Sequence, residues 1–499
     1  MGVAQLGYSD LWTTEDELGF GASAAALVEV VGGAELRDTP LTVGIYGPWG
    51  SGKTSMMRMI HQALDDRAKH PGVLPIWFDA WRYAQSDALW RALLISVVEE
   101  IREHVVHDDD RLRTLVGKQA AATGQAPPAE LKPEREKLEQ RLDDMIAGLY
   151  RTVEREELGS VSINWPELGQ AAAGTAVRLG LAAIPFVGTV HKALEEAVKA
   201  AQGKLGAGED ATAFAKAIHR ERAKIYRDQV RSLEQFYGEL KQLIEAWAEQ
   251  AGYRLVIFVD DLDRCLPDQA IGVLEAIKVF LDARGCVFVL GVDREIIERG
   301  IRIRYKEFAL SERGAALGAF PVPERDYLEK IVQIPFALPP LAQTSIHAFL
   351  GNRLPGLPGL AGDEATSVAR LMSVGLLRNP RKVKRSFNIF RLHLILDRAQ
   401  GRTTPAGLIA KLTVIQSSFP DLYEKIARDP TLLRNYEAIA RGITLQTPIT
   451  QDQRDEMGKQ DQRLRNMLHQ QPWYEKLTDD ELRELVYQSR ATGDADSTA

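Results

Sequence analysis

The sequence predicts an α/β fold: a five-stranded, mostly parallel sheet, a helical insertion within it, and an all-helical C-terminal part. Three observations predict this. Five short apolar runs rich in strand formers, Leu41–Tyr46, Val73–Phe78, Arg254–Val259, Gly285–Leu290 and Val332–Leu338, are bounded by turn or helix signals. Helical stretches separate them, and strand–helix alternation means a parallel sheet covered on both faces. After Leu338 the alternation stops at Pro339-Pro340, and only helical patterns follow.

Taken in order, the helical patterns are Asp87–Ile101, Val230–Gln250 and Gln269–Ala283, the last with Ile271, Leu274, Ile277 and Leu281 at helical spacing. Residues 104–225 hold no strand pattern and are expected to be an insertion. Within them, Thr123–Ala129 reads as a linker and Glu134–Glu157 as a charged amphipathic helix. The expected division is a nucleotide-binding domain over 1–103 and 226–338, the insertion over 104–225, and a helical lid over 339–490. In the lid, Ser345–Arg353, Asp363–Leu377, Pro380–Asp397, Pro405–Ser417 and Leu422–Arg428 read as helices, and residues 491–499 as a disordered tail.

The chain has 499 residues, 45% hydrophobic and 26% charged, with a net charge of −7. That balance belongs to a globular protein and argues against a globally basic nucleic-acid binder. Two cysteines, Cys265 and Cys286, form no metal-spaced cluster and point to a reducing compartment. Residues 1–10 have neither a basic n-region nor an apolar h-region. A cytoplasmic protein is therefore expected, peripheral to a membrane at most. The one span-length apolar stretch, Ala171–Val190, carries Arg178 near its centre. An arginine there costs about 2.5–3.5 kcal/mol on insertion, against roughly 0.3–0.6 for each large apolar residue. An Ala/Gly-rich helical hairpin is the expectation.

The chemistry starts at Gly47-Pro48-Trp49-Gly50-Ser51-Gly52-Lys53-Thr54, a G-x-x-x-x-G-K-T run between a strand and a helix. Glycines let the backbone wrap a polyphosphate, and loop N–H groups with the helix N-terminus face the anion. In that pattern Lys53 reaches the β- and γ-phosphates and the Thr54 hydroxyl sits on Mg²⁺. The expected ligands are thus ATP and Mg²⁺. The strand Arg254–Val259 runs into Asp260-Asp261-Leu262-Asp263-Arg264. A strand's carboxyl end delivers such acids to the phosphate crevice. Asp260 is the expected Mg²⁺ partner, and Asp261 or Asp263 the acid that orients the attacking water. Asp293 ends the next strand, where a polar side chain can sense the γ-phosphate or pair with Arg294. Asn379-Pro380-Arg381-Lys382-Val383-Lys384-Arg385 reads as a capped helix start crowded with cations. Cations oppose the macrodipole there, so a bound anion would relieve them; Arg381 and Arg385, with Lys384 near the same face, are expected at the phosphates. The aromatics of Phe78-Asp-Ala-Trp-Arg-Tyr83 are expected chiefly in the core.

Together these stretches resemble the KAP family of P-loop NTPases, in the STAND branch of signalling ATPases. Asp16-Glu-Leu-Gly-Phe20, Leu290-Gly-Val-Asp-Arg294 and Tyr327-Leu-Glu-Lys-Ile-Val-Gln333 complete the match, over roughly residues 14–390. The resemblance implies an AAA-like sheet with ATP beneath a helical lid, and a variable insertion that carries membrane spans in many relatives. Prokaryotic relatives are associated with phage exclusion, which makes antiviral defence the expected setting. Lys53 together with the acid cluster favours hydrolysis, so the expected function is an ATP-hydrolysing conformational switch, with protein partners and self-association as the expected interactions. The alternatives are a slowly or non-hydrolysing nucleotide-gated scaffold that signals through partner proteins and a membrane-associated ATPase.

Overall fold

A computed structural model of the chain describes residue 9 and residues 11–84, 89–122, 124, 126–157, 235–280, 283–304, 324–357, 359–360, 362–443 and 461–490. Five parallel strands form one sheet: β1 (Leu41–Tyr46), β2 (Val73–Asp79), β3 (Arg254–Asp260), β4 (Cys286–Val292) and β5 (Ile334–Ala337). Their spatial order is β2-β3-β4-β1-β5. The three central strands are nearly continuous apolar runs because helices cover both faces. Val43, Ile257, Val289 and Leu290 have no exposed surface.

All five expected strands form, β1 with its expected bounds and the other four with shifted ends. β4 starts at Cys286 because Gly285, at φ 95°, is a left-handed turn residue. β2 and β3 each run one residue further, so that Asp79 and Asp260 are register partners at the sheet's carboxyl edge. β5 is shorter than expected, an edge strand of four residues.

One sheet face carries helix Gly21–Gly33, which the sequence patterns did not single out, and helix Lys53–Leu64. The other carries Leu89–Ile101 and Pro267–Phe280. The region expected as an insertion begins on this second face. Leu115 of helix Asp109–Ala122 and Leu142, Met145 and Leu149 of helix Lys132–Glu157 are buried in the same core as β2 and β3. Excising 104–225 would therefore remove part of the sheet's own packing. The stretches 171–190 and 491–499 lie outside the described residues. Among the described residues no helix is long and apolar enough to cross a membrane.

The C-terminal part is helical throughout its described residues, with helices Gln343–Arg353, Gly362–Gly375, Pro380–Ala399, Ala406–Ser418, Pro420–Arg428, Leu432–Arg441, Gln462–Leu468 and Asp479–Arg490. Its core holds buried polar groups, Lys411 and His393 among them. Lys411, with no exposed surface, donates to Glu437 at 2.8 Å and to the carbonyls of Leu468 and Pro472. Those three partners satisfy all its donors, which is the condition for burying an ammonium. His393 is 3% exposed, with Nδ1 3.2 Å from the Thr413 hydroxyl.

Burial pushes the His393 imidazole down from its ordinary 6.5 to about 4. The folded state thus favours the neutral ring. Its contribution is complete above pH 6.5 and is lost as the pH falls through 4. At 1.36 kcal/mol per unit, the loss over that window is about 3 kcal/mol. Thermal melts between pH 7.5 and 4.5 should show His393→Gln with a flatter pH dependence than the parent. An equal slope in both would place the acid sensitivity elsewhere.

Candidate active site

The loop 47–52 leaves β1 and turns into helix Lys53–Leu64. Gly50 and Gly52 have φ of 78° and 101°, so the loop needs residues without a Cβ there. Ser51 N–H donates to the Pro48 carbonyl at 3.1 Å, and Gly47 N–H to Val292 of β4 at 3.4 Å. The loop borders a cavity of about 210 Å³, lined on this side by Trp49, Gly50, Gly52, Lys53 and Thr54. Gly47, Pro48 and Ser51, expected to contact the nucleotide, are not among its lining residues. Lys53 is 7% exposed; its Nζ donates to the Gly47 carbonyl at 2.9 Å and lies 3.1 Å from Asp263 Oδ2.

The acids take distinct places. Asp260 ends β3 and is 4% exposed. It accepts a hydrogen bond from Thr54, while its Oδ1 is buried with no hydrogen-bond partner among the described residues. Burial, then the neighbouring Asp261, push its carboxyl up to about 7. A Cβ at Gly291 would lie 2.4 Å from Met57 Sδ and 3.0 Å from Asp260 Oδ1, so only glycine lets β4 pass this close. Thr54 and an orphaned carboxylate oxygen fit Mg²⁺, which takes one or two side chains and completes its shell with water and phosphate. A cluster of three or more His, Cys, Asp or Glu side chains suited to a metal is absent among the described residues.

Asp261 has φ 56°, the only positive value on a non-glycine among the described residues. It lines the cavity, and its Oδ1 lies 2.9 Å from Arg264 Nε. Burial raises its carboxyl above the usual range, with Arg264 acting against that rise. The short helical turn Leu262–Arg264 carries Asp263 inward. There it faces Lys53 and accepts from Asp293 N–H at 3.0 Å. Asp293 does not line the cavity; its carboxylate caps the next helix by accepting from Glu295 N–H. Arg294 pairs with Glu298 at 2.7 Å, not with Asp293. One helical turn along the same helix is the nearer geometry for that pair.

The helical part closes the cavity's other side. Asn379 caps helix Pro380–Ala399 by accepting from Lys382 N–H, and its Nδ2 donates to the Trp49 carbonyl at 3.0 Å. Arg381 N–H donates to the Gly50 carbonyl at 3.3 Å, and its guanidinium lies 5.3 Å from the Trp49 ring centre. Arg381 and Lys384 line the cavity. Arg385 is exposed and is not among the lining residues, so the helix turns Lys384 inward in its place.

The sequence patterns gave the N-terminal strap, residues 11–20, no site residue, although Asp16–Phe20 carries part of the family resemblance. Trp12, Asp16, Glu17 and Phe20 line the cavity. Glu17 pairs with Lys384 at 3.3 Å and with Arg353, tying the strap to two lid helices. The Arg58 guanidinium stacks between Trp12 and Trp77 at 4.7 and 3.5 Å. The only local signal was Asp16, three residues before Gly19, whose carboxylate accepts from the N–H groups of Gly19, Phe20 and Gly21.

A strand-mounted phosphate loop, a threonine and buried aspartate beside it, and a lysine reaching into the same cleft define a P-loop NTPase. The KAP family P-loop domain matches residues 20–396, and the chain belongs to that family. It is 24% identical over 333 residues to the human NTPase KAP family P-loop domain-containing protein 1. That match covers 62% of this chain and 50% of the human protein, so the chain spans about half the length of this relative. Among solved structures it is similar to the Aeropyrum pernix ORC2 protein in ADPNP and ADP complexes, at 12% identity and a TM-score of 0.36, over 98% of this chain and 97% of that one. The Aeropyrum pernix ORC1 protein in complex with DNA matches at 13% identity and 0.34, over 95% and 84%. No site residue is carried across from either.

Proposed function

We propose that the chain hydrolyses ATP with Mg²⁺ and that the bound nucleotide governs the angle between the sheet domain and the helical lid. The observation that carries this reading is the cavity itself. Its lining brings the phosphate loop and Asp261 together with the lid's Arg381 and Lys384. Lys53 and the loop N–H groups would hold the β- and γ-phosphates. Thr54 and Asp260 would hold Mg²⁺, which supplies charge neutralisation at the phosphates. Asp261, the one of the two candidate acids that lines the cavity, would take the proton from the attacking water as its oxygen bonds to the γ-phosphorus and the bridging P–O bond breaks. Asp263 would act through Lys53, which it faces.

Hydrolysis of ATP by the purified full chain, dependent on Mg²⁺ and compared with GTP, tests the core of this reading. A chain that binds ATP but releases no phosphate would instead be a nucleotide-gated scaffold. For the setting, we carry forward defence against phage from the family resemblance. Plaque counts on hosts with and without the gene test that part separately.

The lid supplies its own prediction. Arg381→Ala and Lys384→Ala should each weaken ATP more than ADP, because both side chains line the cavity that would hold the phosphates. Such differential affinity is what allows a ligand to drive closure. Arg385→Ala, at an exposed position, should change either affinity by under ~0.5 kcal/mol. Titration with fluorescent ATP and ADP checks this. Equal losses for both nucleotides in Arg381→Ala and Lys384→Ala would rule out a lid that reads the γ-phosphate.

A further inference from the structure

The stretch Phe78-Asp-Ala-Trp-Arg-Tyr83 has no part in the reaction as described so far, yet it ends beside the acids. The expectation of core aromatics holds for Phe78 alone, which is 1% exposed. Trp81 is 57% exposed and Tyr83 38%. An exposed indole on a short turn makes little contribution to packing, so its placement calls for another account.

The turn is built to present that ring. Asp79, at the carboxyl end of β2, accepts from the N–H groups of Trp81 and Arg82 at 3.1 and 3.4 Å and so caps the turn Ala80–Tyr83. Tyr83 stacks on Phe78, with ring centres 5.3 Å apart and planes 3° from parallel, which anchors the turn's far end to the core. Ala80 between them is fully buried. Trp81 is the more exposed of the turn's two aromatic rings, and the Arg264 guanidinium lies 5.1 Å from its ring centre.

Arg264 is in turn bound to Asp261. Its backbone N–H donates to the Asp261 carbonyl at 3.1 Å, and its Nε lies 2.9 Å from the Asp261 carboxylate. Nε makes no hydrogen bond among the described residues, so the side-chain contact is a charge pair without a directional bond. A charge pair alone fixes distance but not direction. The flat face of an indole under a flat guanidinium supplies the missing constraint. Asp261 needs one, because its left-handed backbone holds no side-chain cap of its own.

We propose that Trp81 and Arg264 are positioning residues for hydrolysis: the indole carries the guanidinium, and the guanidinium aims the Asp261 carboxylate at the cavity. This rests on Asp261 as the acid that serves the water. It assigns the turn after β2 to the reaction at the neighbouring strand, where β2 and β3 end in register at Asp79 and Asp260.

The test uses the full chain with Mg²⁺-ATP and reads turnover, ATP affinity and melting temperature for Trp81→Ala, Trp81→Phe and Arg264→Lys. Misplacing a catalytic group by about 1 Å can cost up to ~10²-fold in rate. Trp81→Ala should lower kcat by roughly tenfold, within that range, with ATP affinity within about twofold of the parent and an unchanged melting temperature. Trp81→Phe should restore most of the rate, since a phenyl face also carries a cation. Arg264→Lys keeps the charge but loses the planar face, and should lose rate as Trp81→Ala does. A Trp81→Ala rate within twofold of the parent would overturn the proposal. So would a fall in rate matched by equal losses of ATP affinity and melting temperature, which would mark Trp81 as structural. Full turnover in Asp261→Asn would defeat the underlying base assignment, whereas a dead Asp261→Asn beside a fully active Trp81→Ala defeats only this inference.

Discussion

Lys53→Ala is expected to lose ATP binding and to melt at a lower temperature, two effects with separable causes. Binding falls because the ammonium's charge-assisted contacts to phosphate oxygens disappear, worth about 1.5–3 kcal/mol or roughly ten- to a hundredfold in affinity. Stability falls because Lys53 Nζ lies 3.1 Å from Asp263, with both side chains under a tenth exposed. Removing one partner of a buried pair leaves the other charge uncompensated, at a cost of about 3–5 kcal/mol. Asp263 would keep only its bond from Asp293 N–H. The double substitution Lys53→Ala with Asp263→Asn should therefore recover most of the melting temperature and none of the affinity. Calorimetric ATP titration and thermal melts of Lys53→Ala, Asp263→Asn and the double variant check both arms. Unchanged affinity in Lys53→Ala would end the assignment of the phosphate loop. Additive destabilisation in the double variant would show that the two side chains do not support each other.

The parts of this molecule legible in the sequence are those set by local rules. The five strands were legible because a doubly covered parallel strand needs an apolar residue at nearly every position, and Leu255–Val259 supplies one at each. Their ends were less so. β2 and β3 continue into Asp79 and Asp260, where the run of apolar residues has stopped but backbone pairing has not. The loop 47–54 and the acids after β3 were legible because their chemistry fixes residue type and spacing. Which acid faces which partner was not. A left-handed residue at Asp261 and the short turn after it send Asp261 to the cavity and Asp263 to Lys53, and only the backbone carries that information.

Contacts between distant segments escaped altogether. Glu17 meets Lys384 across more than 360 residues, and nothing in the residues around either one announces the other. Helix phase accounts for a smaller shift. The basic run 381–385 is expected to offer Arg385 and Lys384 to the phosphates near Arg381, and of these two only Lys384 lines the cavity. Both positions neighbour Arg381 on the helix surface, at i+3 and i+4, and the packing of Val383 and Phe387 into the core selects between them. The Arg294 pairing is the opposite case. Glu298 stands four residues on along an amphipathic helix, so the local rule was available and gives the observed partner.

Asp261→Asn and Asp263→Asn should separate the acid that serves the water from the acid that serves the lysine. Asp261 lines the cavity, and its carboxylate is the one within reach of it; neutralising it removes the proton acceptor and keeps the shape. The expected result is ATP binding close to the parent's with turnover lowered by ~10²–10⁴-fold, the usual range for a general base. At 1.36 kcal/mol per factor of ten, that is about 3–5 kcal/mol of barrier. Asp263→Asn should behave differently. An amide in place of the carboxylate no longer pairs with the Lys53 ammonium, so affinity for ATP and turnover should change together as the lysine loses its second anchor. Its remaining anchor is the Gly47 carbonyl at 2.9 Å. Single-turnover phosphate release, measured at saturating ATP, isolates chemistry from binding in both variants. A slow chemical step in Asp263→Asn with binding intact, beside normal chemistry in Asp261→Asn, would exchange the two roles. Normal chemistry in both would mean that neither carboxylate takes the proton.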